Sequence, residues 1–152
     1  MIRRSPSAQR GFSMIEVLIA IVVLAIGLLG FALMQTMTLR YTQSANSRTL
    51  ATNLAYSLLD QMRTNRLSAA QYEGAGFAEN TLTAASCGAV TGDAVAQGIA
   101  HWRCQVYQAL GETAEATVTY NNTGVATVTL GWGERSAVQG EDSTEFTART
   151  QL

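Results

Sequence analysis

The stretch Gly11-Phe12-Ser13-Met14-Ile15-Glu16 runs straight into an apolar segment. Residues 17–34 are 18 positions without a charge or a strongly polar side chain. As a helix, at about 1.5 Å per residue, they cover ~27 Å, close to the hydrocarbon thickness of a bilayer. The Glu16 carboxylate stands at the head of that span. A charge inside such a segment costs roughly 2.5–3.5 kcal/mol on insertion scales, which makes it a functional candidate. The helix macrodipole returns only about 0.3–1 kcal/mol to an N-terminal acid and does not offset that cost.

Charge is distributed unevenly on either side of the segment. All ten basic residues are arginine, and Arg3, Arg4 and Arg10 precede the apolar run. Three arginines before a single span predict a cytoplasmic N-terminus, with the rest of the chain outside the cytoplasm. Arg40, Arg48, Arg63 and Arg66 follow the span, against Asp60 alone. Residues 68–152 then hold three arginines against nine acids, a balance of −6. An acidic domain of this kind argues against nucleic-acid binding by phosphate neutralisation. Outside the cytoplasm a disulfide between Cys87 and Cys104 is permitted, and two cysteines allow one pairing; the alternative is two free thiols.

A secretory signal is a poor reading of the apolar run. The run exceeds an h-region of about 7–15 residues. A glutamate opens it, and Ala32-Leu33-Met34-Gln35-Thr36-Met37 offers no small-x-small cleavage site. Nor do the 118 residues after position 34 suffice to wrap it as a soluble core helix.

Gly11-Phe12-Ser13-Met14-Ile15-Glu16-Val17-Leu18-Ile19-Ala20 resembles the processing site of type IV pilins and type II secretion pseudopilins. In that family a short basic leader ends in glycine, and a prepilin peptidase cuts after it and N-methylates the new first residue. The resemblance implies a cut between Gly11 and Phe12, methylation of Phe12 and a mature chain of 141 residues, 152 less 11. Glu16 becomes the fifth mature residue, the family's glutamate. It is then expected to attract the N-terminal amine of a neighbouring subunit and set axial register, with pairing to its own amine as the alternative, since two opposite charges in low dielectric are far cheaper together than apart. The implied localisation is the inner membrane, single-pass with a periplasmic head, followed by the pilus filament.

Helical periodicity continues beyond the span. Ala51, Leu54, Ala55, Leu58, Leu59 and Met62 fall at i, i+3, i+4, i+7, i+8 and i+11, one apolar face of an amphipathic helix. Arg48, Ser57, Asp60, Gln61 and Arg63 fall largely elsewhere on the wheel. Pro6 is the chain's one proline, so nothing obvious interrupts a helix over residues 12–65, which would be ~80 Å long. Major pilins usually carry a proline partway along this helix; here that position is Leu33, with Gly27 and Gly30 nearby. Each glycine lowers helix stability by about 1 kcal/mol and serves either local flexibility or close helix packing.

Residues 64–92 read mostly as loop. Asp93 is a candidate N-cap, and Val95, Ile99, Trp102, Val106, Ala109 and Leu110 recur at helical spacing before Gly111. Residues 114–120 alternate as a strand, Asn121-Asn122-Thr123-Gly124 is a turn signal, and residues 125–132 return as a second strand. Residues 141–144 read as a loop, with a third strand from Glu145. The expected fold is α+β and pilin-like: a long N-terminal helix, transmembrane then amphipathic, packed on a small antiparallel β-sheet head. Its segments are a leader over 1–11, a transmembrane and filament-core helix over 12–39, an amphipathic half over 40–66, and a periplasmic head over 67–152.

Catalytic signatures are missing from the sequence. It has no nucleophile elbow, phosphate loop or outstanding acid pair, and its one histidine, His101, has no plausible metal partners beyond the two cysteines. A structural protein without cofactor or metal is expected. Ile26-Gly27-Leu28-Leu29-Gly30, Asn53-Leu54-Ala55-Tyr56 and Met62-Arg63-Thr64-Asn65 resemble the minor pilins known as type IV pilus modification proteins. This likeness implies a low-abundance subunit that primes pilus assembly near the filament tip. Its partners would be prepilin peptidase, other minor pilins, the major pilin and a large tip adhesin. A type II secretion minor pseudopilin, or a tip subunit whose head binds a ligand, are the competing readings.

Overall fold

The computed structural model describes residues 11–88, 90–133 and 143–152. The chain divides into two units, Met1–Tyr41 and Thr42–Leu152. The proposed leader, apart from Gly11, lies outside the described residues, as do residues 141 and 142 of the expected loop.

Helix α1 spans Met14–Thr64. It starts where the Ser13 carbonyl accepts from the amides of Glu16 (3.0 Å) and Val17 (3.3 Å). In the first unit every described side chain is exposed, the apolar run included. By length and composition, α1 is the one helix among the described residues suited to crossing a membrane, and its apolar window has no buried share. Thr36 and Thr38, just past that window, donate their hydroxyls to the carbonyls of Ala32 and Met34, each at 3.0 Å. The hydroxyls are thereby satisfied within the helix.

In the second unit the amphipathic part of α1 meets its core. Ala51, Ala55, Leu58, Leu59 and Met62 are buried, and Leu54 packs beside them, as the periodicity predicts. Gln61 departs from expectation: it is half-buried, and its Oε1 lies 3.2 Å from where a Cβ on Gly98 would stand. Past the helix end, Asn65 Nδ2 donates to the Gln61 carbonyl and to the Tyr72 hydroxyl, both at 3.1 Å. The same carbonyl also accepts from the Asn65 amide at 3.1 Å and the Thr64 hydroxyl at 2.9 Å, so the side chain ties Tyr72 to a helix end that is already satisfied.

Residues 64–92 are more regular than the loop expected from their composition. They hold two 3-10 helices, Arg66–Ala75 and Ala84–Cys87. The first buries Ala69, Tyr72 and Ala75. Their spacing of three is the period of a 3-10 helix, in which residues i and i+3 eclipse. Beyond it, Phe77 forms an isolated bridge to Ala116.

Helix α2 spans Ala94–Leu110. Asp93 caps it, its side chain accepting from the Ala96 amide at 2.8 Å. Gly111 ends it with φ 89°, ψ −169°. Strands β1 (Glu115–Tyr120), β2 (Val125–Gly133) and β3 (Ser143–Gln151) form an antiparallel sheet in the order β1-β2-β3. β3 starts two residues before the expected Glu145 because Ser143 and Thr144 pair with Gly133 and Trp132. The turn between β1 and β2 is held by Asn121, whose Oδ1 accepts from the Thr123 amide and hydroxyl and the Val125 amide. Those bonds account for Asn121 as a turn residue.

One face of β2, carrying Ala126, Val128, Leu130 and Trp132, is buried. It shares a single core with Val118, Ala148, the α1 face, Tyr72, Val106 and Trp102. The architecture is a long N-terminal helix whose second part packs with a three-stranded antiparallel head, an α+β arrangement.

Candidate functional site

The N-terminal motif occupies the exposed head of α1. Gly11, Phe12 and Ser13 precede the helix and are not in regular structure, so the Gly11–Phe12 peptide bond lies in open chain. Phe12 is 83% exposed. A Cβ built on Gly11 meets nothing within 4 Å. Packing among the described residues therefore does not call for glycine at position 11.

Glu16 lies one turn beyond Phe12. The two line one side of a shallow apolar groove of about 500 Å³ that continues along α1 past Val17, Ala20, Ile21 and Leu24. Their spacing follows one helix face. Glu16 is exposed, and among the described residues it forms no ion pair. A Cβ added at Gly27 or Gly30 would likewise meet nothing within 4 Å.

Cys87 and Cys104 are bonded in the structure, S–S 2.04 Å with Cα atoms 4.9 Å apart, joining the second 3-10 helix to α2. His101 is exposed on α2 beside them. No group of three or more His, Cys, Asp or Glu among the described residues is arranged to hold a metal ion.

One residue of consequence escapes a reading by pattern. Arg103 Nε donates to the Ala75 carbonyl at 3.2 Å, and Nη2 to the carbonyls of Gly76, at 2.7 Å, and Gly74. The guanidinium thus caps the carbonyl end of the first 3-10 helix, where the dipole favours a cation. Burial pushes its pKa below the ordinary arginine value. The available signal was compositional: Arg103 is one of three arginines in the acidic residues 68–152.

Comparison with known families matches residues 6–32 to the prokaryotic N-terminal methylation motif. No curated protein and no solved structure matches the chain. The matched residues contain Gly11, Phe12 and Glu16 and most of the apolar run, the same stretch the structure leaves exposed. A motif of this kind implies a processing enzyme as a partner. The chain thus carries a type IV pilin-like N-terminal methylation motif at the head of a membrane-length helix, in an α+β architecture of the pilin-like kind.

Proposed function

We propose that this protein is a minor pilin of a type IV pilus, of the PilV type, that primes assembly with other minor pilins near the filament tip. The observation that carries the reading is the exposed Gly11-Phe12 junction and Glu16 at the head of a wholly unburied apolar helix. Exposing so much apolar surface is untenable in water, so lipid or other subunits must cover it. The basic leader holds the N-terminus in the cytoplasm, and the head lies in the periplasm. Segments 1–11, 12–39, 40–66 and 67–152 act as leader, membrane and filament-core helix, amphipathic connector and head.

Prepilin peptidase hydrolyses the Gly11–Phe12 bond, frees an amine on Phe12 and methylates it. The chain then leaves the bilayer for the filament, where the same helix becomes core. Glu16 attracts the Phe12 amine of a neighbouring subunit, and in low dielectric that pair fixes the axial position of one helix against the next. The head selects neighbours: other minor pilins, the major pilin and a large tip adhesin.

Two measurements test the reading. Co-expression with prepilin peptidase should yield a chain beginning at N-methylated Phe12 by mass spectrometry. Deletion of the gene should reduce surface pili while the major pilin level is unchanged. Normal piliation and motility with a defect in protein secretion would move the protein to the type II secretion pseudopilus. Saturable ligand binding by the chain without other pilins would favour the receptor reading instead.

A further inference from the structure

Residues 78–88 form the outer wall of a groove on the head, of about 640 Å³. Leu82 and Ser86 line it on that side, and Ala96, Ile99, Ala100 and Arg103 line it from α2. The wall has few attachments. Leu82, 8% exposed, is the one buried side chain in residues 78–88. Among the described residues, the hydrogen bond that leaves the segment runs from the Asn80 amide to the Glu112 carbonyl, 3.0 Å. The others close on the segment itself: Thr81 to Ala78, Ser86 with Thr83 and Gly88 to Ala85. The remaining tie is the bond from Cys87 to Cys104.

One buried leucine and one outward hydrogen bond are weak compensation for the backbone entropy of ordering eleven residues. The remainder of the core does not depend on this wall. The α1 face, Trp102, Val106 and the inner face of β2 pack together without residues 78–88. Cys87 and Cys104 are both partly exposed and open onto a second small cavity beside His101, so the bond is within reach of a thiol.

We propose that Cys87–Cys104 is a redox latch: oxidised, it holds residues 78–88 against α2 and forms the groove, and reduced, it releases that wall while the α1–α2–sheet core stays folded. In the releasing step a dithiol reductant supplies two electrons and two protons. The S–S bond breaks, both cysteines become thiols, and the reductant closes to its own disulfide. The reverse step needs a disulfide oxidant of the same class. The latch concerns the head alone and stands whether or not the protein enters a pilus.

The test is amide hydrogen exchange on the full chain in detergent micelles, before and after reduction with dithiothreitol. A link across 17 residues constrains the open state by an amount corresponding to about 100-fold in its population. Exchange over residues 78–88 should accelerate by about that factor, with β1, β2, β3 and the buried face of α1 unchanged. The double variant C87S/C104S should match the reduced protein and no longer respond to dithiothreitol. Unchanged exchange over 78–88 after complete reduction would mean that packing holds the wall. Acceleration across the strands as well would mean that the bond staples the whole head. Either outcome overturns the proposal.

Discussion

The indole N–H of Trp102 on α2 donates to the Leu54 carbonyl on α1 at 2.9 Å, and the Trp102 ring is wholly buried. Phe77 meets that ring edge-on with centroids 6.4 Å apart. One side chain thus joins both helices and the segment leading to β1, and its single polar atom is satisfied. Trp102→Ala should destabilise the head by about 3–5 kcal/mol, the cost of truncating a large buried aromatic. Trp102→Phe keeps an aromatic ring and loses the hydrogen bond and some volume, for about 1–3 kcal/mol. Urea unfolding followed by tryptophan fluorescence separates the two, with Trp132 as the remaining reporter.

Arg103 donates to three backbone carbonyls in succession. Arg103→Met keeps much of the stem and strands those carbonyls. A loss of about 1.5–3 kcal/mol is expected, as for hydrogen bonds made by a charged group. Arg103→Lys should recover only part of it, because an ammonium lacks the planar fork that serves several acceptors at once. Denaturant midpoints of the two variants, compared at equal m-value, test the order.

Gly111 ends α2 in a backbone region that is essentially reserved for glycine. A Cβ there meets no atom within 4 Å, so the cost of any substitution is in the backbone alone. Gly111→Ala should destabilise the head by about 1–3 kcal/mol. Gly111→Asn should fare no better, because its ψ lies outside the left-handed helical well that asparagine tolerates. A thermal melt in which asparagine rescued stability would refute this account.

Glu16 is exposed on α1, so Glu16→Ala should leave folding and cleavage at Gly11 intact. On the proposed role of Glu16, incorporation into filaments should fall severely, because a neighbour's amine would lose its partner in low dielectric. Immunoblots of sheared pili against whole membranes measure the ratio. Full incorporation of the variant would remove Glu16 from the assembly step.

Gly30 offers a way to choose between flexibility and packing for the helix glycines. Its surroundings within the chain are empty, so Gly30→Ile has room in the isolated molecule. Membrane insertion and processing should be unchanged. If close approach of a neighbouring helix is what position 30 serves, incorporation should drop with isoleucine and survive with alanine. Equal losses for both variants would point to flexibility instead. The same sheared-pilus assay reads this out.

The long helix, the cap at Asp93, the stop at Gly111 and the hairpin turn were legible because each depends on near neighbours in the chain. A capping aspartate, an amphipathic stripe and an Asn-rich turn act over a few residues, and composition states them directly. The 3-10 helices were not legible as such. Ala69, Tyr72 and Ala75 carry the right spacing, but a run of small and polar residues has little intrinsic preference, and burial under the rest of the head decides its form. β3 begins at Ser143 for a similar reason, since cross-strand partners in β2 extend it past its own pattern.

Sequence alone determined the N-terminal motif and the membrane-length helix, because an unbroken apolar run headed by one carboxylate has few physical uses. It also set the amphipathic face that meets the core. Tertiary structure alone decided that Arg103 would serve three carbonyls, that the Trp102 indole would reach Leu54, and which elements the expected Cys87–Cys104 bond would join. These relationships join residues 17 to 48 positions apart, and no local preference encodes a distance that only packing creates.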